Sequence, residues 1–163
     1  MPTHPITLAY PVGKSARVAV STVHEDTVDY NTDSPELLYQ FWKEVVAAQP
    51  DYESEKESLI VVLMTTRLRP YAWHRVSLGT LSETLAHPRE IMRPVVAGGA
   101  YAFALMHNHP SGDPTPSKAD ITLTRRIREC ADLFQIRFCD HVIAGEPYKG
   151  RSPYFSFRES GTL

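Results

Sequence analysis

Apolar residues in this chain fall into blocks of two periodicities. In "TDSPELLYQFWKEVVAAQP", Leu37, Leu38, Phe41 and Val45 recur at helical spacing. Ser34 can cap that helix, Pro35 suits its first position, and Pro50 should end it. "SLIVVLMTT" is apolar at successive positions and partly β-branched, as a strand covered on both faces would be. "PYAWHRVSLGT" alternates Ala72, His74, Val76 and Leu78 before Gly79, and reads as a second strand paired with the first. Pro88 opens "REIMRPVVAGG", a helix that Pro94 should kink or shorten. "AYAFALMH" is another buried strand, and Ser117 begins the long helix "KADITLTRRIRECADLFQ". "IRFCDHVIAG" and "PYFSFRE" supply two closing strands. Before all of these, Pro2 to about Asn31 mixes short β-like runs ("ITLAY", "ARVAVSTV") with turn formers, as edge strands or an arm would. Strands and helices do not strictly alternate, so the pattern predicts an α/β (α+β) chain with a mixed sheet flanked by helices.

Composition adds limits. The 163 residues allow one domain with its own core, and shares of 42% apolar and 22% charged residues fit an ordinary globular chain. The formal charge of −2 and pI near 6.4 lack the basic excess usual in nucleic-acid binders. Arg125, Arg126 and Arg128 do cluster, but Glu129 and Asp132 beside them fit a solvated helix face. Cys130 and Cys139 form neither a C-x-x-C pair nor a disulfide framework, and read as free thiols serving as small buried hydrophobes. His4 and Pro5 stand where a signal peptide would need an apolar run, and no stretch is long enough to span a bilayer. The expectation is a cytoplasmic protein without a membrane partner.

The candidate chemistry sits in "HNHPSGDPTPSKAD", His107 to Asp120. An adjacent His-Asn-His tripeptide is no nuclease signature, because in that class the named residues are scattered over a ββα unit. A metal site has geometry behind it. His107 and His109, two apart at a strand end, share a face at roughly 6–7 Å spacing and can converge on one ion. Pro110, Gly112, Pro114 and Pro116 turn the chain stiffly. Asp120 can then add a third ligand, leaving the fourth position of a catalytic zinc to water. "SKAD" equally matches a capping box, with Ser117 as N-cap and Asp120 as its reciprocal partner. Spacing alone leaves a metal site and a plain cap with surface histidines both open.

His107-x-His109 followed by Ser117-x-x-Asp120 resembles the JAMM motif of the MPN/JAB metallopeptidase superfamily. Five further words narrow the resemblance to the RadC family, whose database name is DNA repair protein. They are "GTL" (Gly79 to Leu81), "HPREI" (His87 to Ile91), "HNHPSGDPTPS", "DHVIAG" (Asp140 to Gly145) and "YFSFRESG" (Tyr154 to Gly161). The resemblance runs from Ser34 to Leu163, so residues 34–163 are expected to form a single RadC-like MPN/JAB domain, with residues 1–33 as strands or an arm leading into it. It implies a cytidine-deaminase-like mixed sheet with helices and Zn2+ on His107, His109 and Asp120. It also implies a glutamate before an early strand as general acid/base, and the Ser117 hydroxyl as a stabiliser of the tetrahedral oxyanion. Glu53, Glu55 and Glu57 share a parity; Glu57, then Ser58 and the apolar run from Leu59, fits the family pattern best.

The implied reaction is hydrolysis of a peptide or isopeptide bond, with an isopeptide-linked protein or a peptide as substrate partner. Asn108, on the other face of the strand, is expected to shape the loop. Asp140 and His141 read as a buried, hydrogen-bonded pair rather than a second metal site. Two departures stand out. Full-length members carry an N-terminal helix-hairpin-helix region, which is not expected in these residues, and that weakens DNA as a partner. Thr65 stands near where the family usually has an aspartate after the first core strand. Beside the hydrolase stand two other readings, a DNA-repair-associated module without peptidase activity and a partner-binding scaffold with a structural zinc.

Overall fold

Two strands with almost entirely buried side chains organise the fold. They are β3 (Glu57–Met64) and β5 (Ala102–Asn108), antiparallel neighbours with Leu59 opposite His107 and Met64 opposite Ala102. Side chains alternate across a strand, so each strand feeds two cores. Val61, Leu63, Phe103 and Leu105 pack on one side with Ile91, Val95, Leu123 and Ile127. Ile60, Val62, Ala104 and Met106 pack on the other with Leu38, Phe41, Trp42 and Val46. Burying a large apolar side chain contributes about 1.5–3 kcal/mol, and the two cores clamp the sheet between helical layers. The structure, a computed structural model, describes residues 6–9, 17–22, 31–79 and 86–163.

The remaining elements are strands β1 (Ile6–Ala9), β2 (Arg17–Thr22), β4 (Pro70–Gly79), β6 (Arg137–Ala144) and β7 (Tyr154–Ser156), with helices α1 (Pro35–Phe41), α2 (Pro88–Ala97) and α3 (Lys118–Phe134). The sheet order is β1-β2-β4-β3-β5-β6-β7. Among the described strands only β5 and β6 pair in parallel, which is why the long helix α3 lies between them in sequence: a parallel pair needs a crossover. α2 and α3 cover one face and α1 the other. The N-terminal pair β1–β2 joins the body through Ser21 opposite Trp73 and Thr22 opposite Ala72. The other residues of the run from Pro2 to Tyr30 lie outside the described residues, as do Thr80 and Leu81 of the "GTL" word.

Three local expectations need correction. The first helix ends short of Pro50. After Phe41 it widens into a π-helical turn, Trp42–Val46, with Ala47 N–H donating to Trp42 O at 2.8 Å. Gln49 then folds back, its side-chain amide donating to Val45 O at 2.7 Å, so the chain turns before the proline is reached. Pro94 does not shorten α2, which continues to Ala97. The missing N–H forfeits one bond to the carbonyl of Glu90, an exposed residue, while the ring itself is buried. The one-sided alternation of β4 also breaks. Leu59 faces Ser77 but Ile60 faces Arg75, so Val76 is an extra residue in a bulge. Ala72 and Trp73 are both buried, and Leu78 is 43% exposed.

At Thr65 the hydroxyl accepts from Arg69 N–H at 3.3 Å, while Leu68 N–H donates to Thr65 O at 2.9 Å. A threonine thus closes the turn after β3. Both cysteines are free thiols; Cys139 is buried and Cys130 half-buried. Among the described residues no helix is long and apolar enough to cross a membrane.

Candidate metal centre

The site forms where β5 ends. Leu59 and His107 are opposite each other, and odd-numbered residues of β5 point towards α3. His109 keeps that parity beyond the strand, because its N–H still donates to Ala144 O of β6 at 3.1 Å. The chain then turns at Gly112, whose φ of +73° suits glycine. Asp113 stiffens the loop by accepting from Thr115 N–H at 2.9 Å and from the Thr115 hydroxyl at 2.7 Å, and by pairing with Arg151 at 2.8 Å. Ser117 caps α3 in a full capping box: its Oγ accepts from Asp120 N–H at 3.2 Å, and Asp120 Oδ2 accepts from Ser117 N–H at 2.7 Å. One aspartate therefore completes the cap and also faces both imidazoles.

Four side-chain atoms of three residues converge. His107 Nε2 and His109 Nε2 lie 3.1 Å apart, Asp120 Oδ1 is 3.3 Å from the first, and Asp120 Oδ2 is 3.4 Å from the second. A tetrahedral ion with bonds of about 2.0–2.1 Å has edges of roughly 3.3–3.4 Å, close to these spacings, with each imidazole facing a different oxygen of the Asp120 carboxylate. His109 Nδ1–H donates to Asp113 O at 2.7 Å, which leaves its Nε2 lone pair facing the cluster. His107 and Asp120 are 1% and 8% exposed, and this group could bind a metal ion. Among the described residues no fourth His, Cys, Asp or Glu joins it. The field is shared between the ligands. Burial pushes the Asp120 carboxyl up, but hydrogen bonds with His107 and His109 outweigh it and hold the group far below the usual carboxylate range. Burial lowers His109, yet Asp120 and the Asp113 carbonyl prevail and raise it, with help from Glu57.

The three glutamates do not share a strand parity. Glu53 and Glu55 are exposed in the turns before β3, and Glu53 pairs with Lys56 at 2.7 Å. Glu57 opens β3 two residues before Leu59, on the face of His107, and its charge reaches His109. Ser117 Oγ–H donates to Asp120 Oδ2 at 2.6 Å. Asn108, on the opposite face, grips the segment that carries Glu57. Its Oδ1 accepts from Ser58 N–H at 2.8 Å, and its Nδ2 donates to Lys56 O at 3.1 Å and to Ser54 O at 3.4 Å. The sequence reading gave Asn108 the loop after β5; its bonds instead hold the turn before β3.

Asp140 and His141 are both fully buried, but on opposite faces of β6. Asp140 accepts from Ser156 Oγ at 2.6 Å and Arg158 N–H at 3.0 Å, and burial raises its pKa. His141 Nε2 lies 2.9 Å from His107 Nδ1, and its Nδ1 lies 2.6 Å from Thr124 Oγ1. Burial, then the neighbouring His107, drive its pKa well down, so the ring is neutral. Both are thus hydrogen-bonded, their side chains to different partners. Nothing in the sequence marked Thr124; for His141 the signal was its place in "DHVIAG".

On the α1 side of His109 a cleft of about 520 Å³ opens, walled by Tyr39, Trp42, Tyr52, Tyr148 and Arg151. It lies beyond the carboxyl ends of the parallel strands β5 and β6, where open α/β sheets place their ligands.

A family model described as RadC-like JAB domain matches residues 32–162, most of the chain. The chain belongs to the RadC family. An UPF0758 protein of Thermotoga maritima is 35% identical to this RadC chain over 131 residues, covering 80% of the chain and 54% of the relative. One from Geobacter sulfurreducens is 38% identical over 130 residues, covering 80% and 52%. One from Trichlorobacter lovleyi is 40% identical over 111 residues, covering 68% and 46%. The chain spans about half the length of the curated relatives it matches. The mixed sheet with helices is the architecture expected of a single JAB domain, and the superfamily includes zinc hydrolases.

Proposed function

We propose that this RadC domain is a zinc-dependent hydrolase of peptide or isopeptide bonds. The observation that carries the reading is the triangle of His107, His109 and Asp120 with Glu57 on the same face of the sheet. A zinc ion on these three ligands would supply Lewis acidity and lower the pKa of a water in its remaining position. Glu57 is the general acid/base, taking the proton from the attacking water and returning it to the leaving amine. Ser117 turns its hydroxyl from Asp120 to the substrate and donates to the developing oxyanion. The aromatic-walled cleft beside His109 receives the substrate chain on one side of the scissile bond.

The test begins with metal analysis of the purified chain, expected to give one zinc per chain, lost in His109→Ala. Turnover of a panel of peptide and isopeptide-linked conjugates is then compared between native and Glu57→Gln chains. Glu57→Gln should keep its zinc and lose turnover, by at least the 10²-fold typical of removing a general base. Native protein free of zinc, or undiminished turnover in Glu57→Gln, would sink the proposal. Among the described residues three side chains gather, which favours this reading over a structural zinc with its closed set of four.

A further inference from the structure

We propose that Thr124 and His141 act as positioning residues that lock His107 in the one ring form able to take a metal. The inference rests on the metal reading above and adds residues to which that reading gave no part. Protons can be counted along a buried chain of polar groups. It starts at the backbone carbonyl of Asp120, which can only accept. Thr124 Oγ1 lies 2.7 Å from that oxygen, so its single proton is donated there; otherwise two lone-pair oxygens would face each other. The same hydroxyl lies 2.6 Å from His141 Nδ1. With its proton already used it must accept, and His141 Nδ1 therefore carries a proton. His141 is fully buried and stacked on the Phe157 ring, where a charged imidazole would be stripped of water, so it carries one ring proton and its Nε2 is an acceptor. His107 Nδ1, 2.9 Å away, must then donate, so of the two neutral ring forms of His107 the network admits only the one whose Nε2, beside His109 and Asp120, is open to a metal.

Each step follows from the one before, and the far end is fixed because a carbonyl cannot change roles. The chain begins on one ligand, passes through β6 and α3, and ends on the backbone of another ligand. It also closes a ring beneath the site, since the Asp120 side chain faces His107 Nε2 at 3.3 Å. A ligating histidine usually donates its second N–H to a carboxylate, carbonyl or water; here a second histidine takes that place. Without the threonine hydroxyl, His141 has no acceptor for its Nδ1 proton and gains by moving it to Nε2. That turns the contact with His107 around and puts a proton where the metal must bind.

Two measurements test this. Long-range ¹⁵N–¹H spectra of the metal-free native chain should show His107 and His141 protonated at Nδ1; His107 protonated at Nε2 alone would overturn the proposal, and this reading needs no variant to fold. Zinc affinity by competition with a chromophoric chelator should fall 10–100-fold in Thr124→Val, and stay within a few-fold of native in Thr124→Ser, which keeps the hydroxyl. Equal affinity in the two variants would also overturn it. A native chain that takes up no zinc removes the metal reading and this inference with it. Native uptake with no loss in Thr124→Val defeats the inference alone.

Discussion

At Asp120, burial opposes the charge while two imidazoles and a serine favour it, and the hydrogen bonds prevail. The partner effect is a raised His109. These shifts fix how the metal-free chain responds to pH. His109 is raised on folding, so its contribution to stability is complete below 6.5 and fades as pH climbs through the raised value. Asp120 is lowered, so its contribution is complete above 3.8 and fades only as the medium approaches the lowered value. Urea unfolding of the metal-free chain should therefore show stability declining as pH rises past 6.5, and a flat profile there would count against the pairing. Zinc bound as proposed would take the place of the His109 proton. At pH 6.5 binding should release more than half a proton from this residue, read by calorimetry in buffers of differing ionisation heat.

At the scale of elements, the start of β3 depends on a side chain of β5. Where β5 gives way to the loop, the Asn108 amide continues the ladder, bonding to Ser58 N–H, Lys56 O and Ser54 O around Glu57. Asn108→Ala strands the buried Ser58 N–H and should cost about 1–3 kcal/mol. Amide exchange at Ser58 should accelerate, while zinc uptake stays near native because the side chain lies on the face away from the ligands. Unchanged exchange would show that the clamp is not needed. The pattern of residues predicted β3 and β5 well, since a strand buried on both faces is apolar throughout. It misplaced the end of the first helix and the alternation of β4. A π-turn stabilised by packing and a bulge set by a neighbouring strand leave no mark in local periodicity.

For the molecule as a whole, the site depends on how closely the proline loop meets the end of β6. A Cβ on Gly145 would sit 2.5 Å from Gly112 O, 2.8 Å from Pro114 Cδ and 3.0 Å from Pro114 N. Backbone and a rigid ring leave no room to yield. The same loop carries the Asp113 carbonyl that holds His109. Gly145→Ala should therefore cost about 1–3 kcal/mol through overpacking and weaken zinc binding at the same time. Thermal unfolding and chelator competition on one preparation check both; a loss of stability with native zinc affinity would uncouple the loop from the metal.

Sequence alone determined the mixed α/β class, the buried strands, the capped long helix and the family, because periodicity, capping residues and a run of ordered words are local properties. It also brought His107, His109, Ser117 and Asp120 within one loop of each other, and left a metal and a plain cap as rival readings. Tertiary structure made them compatible, by aiming the capping carboxylate at both imidazoles. It also put Glu57 on the strand face of His107 and left Glu53 and Glu55 in the turns before β3, with Glu55 lining the cleft beside His109. Thr124, His141 and Asn108 came into view only there: their partners lie 17, 34 and 50 to 54 residues away, and only folding brings such atoms within a hydrogen bond. The capping box in "HNHPSGDPTPSKAD" was legible from the outset; the partners of its first histidine, on the next strand and on α3, were not.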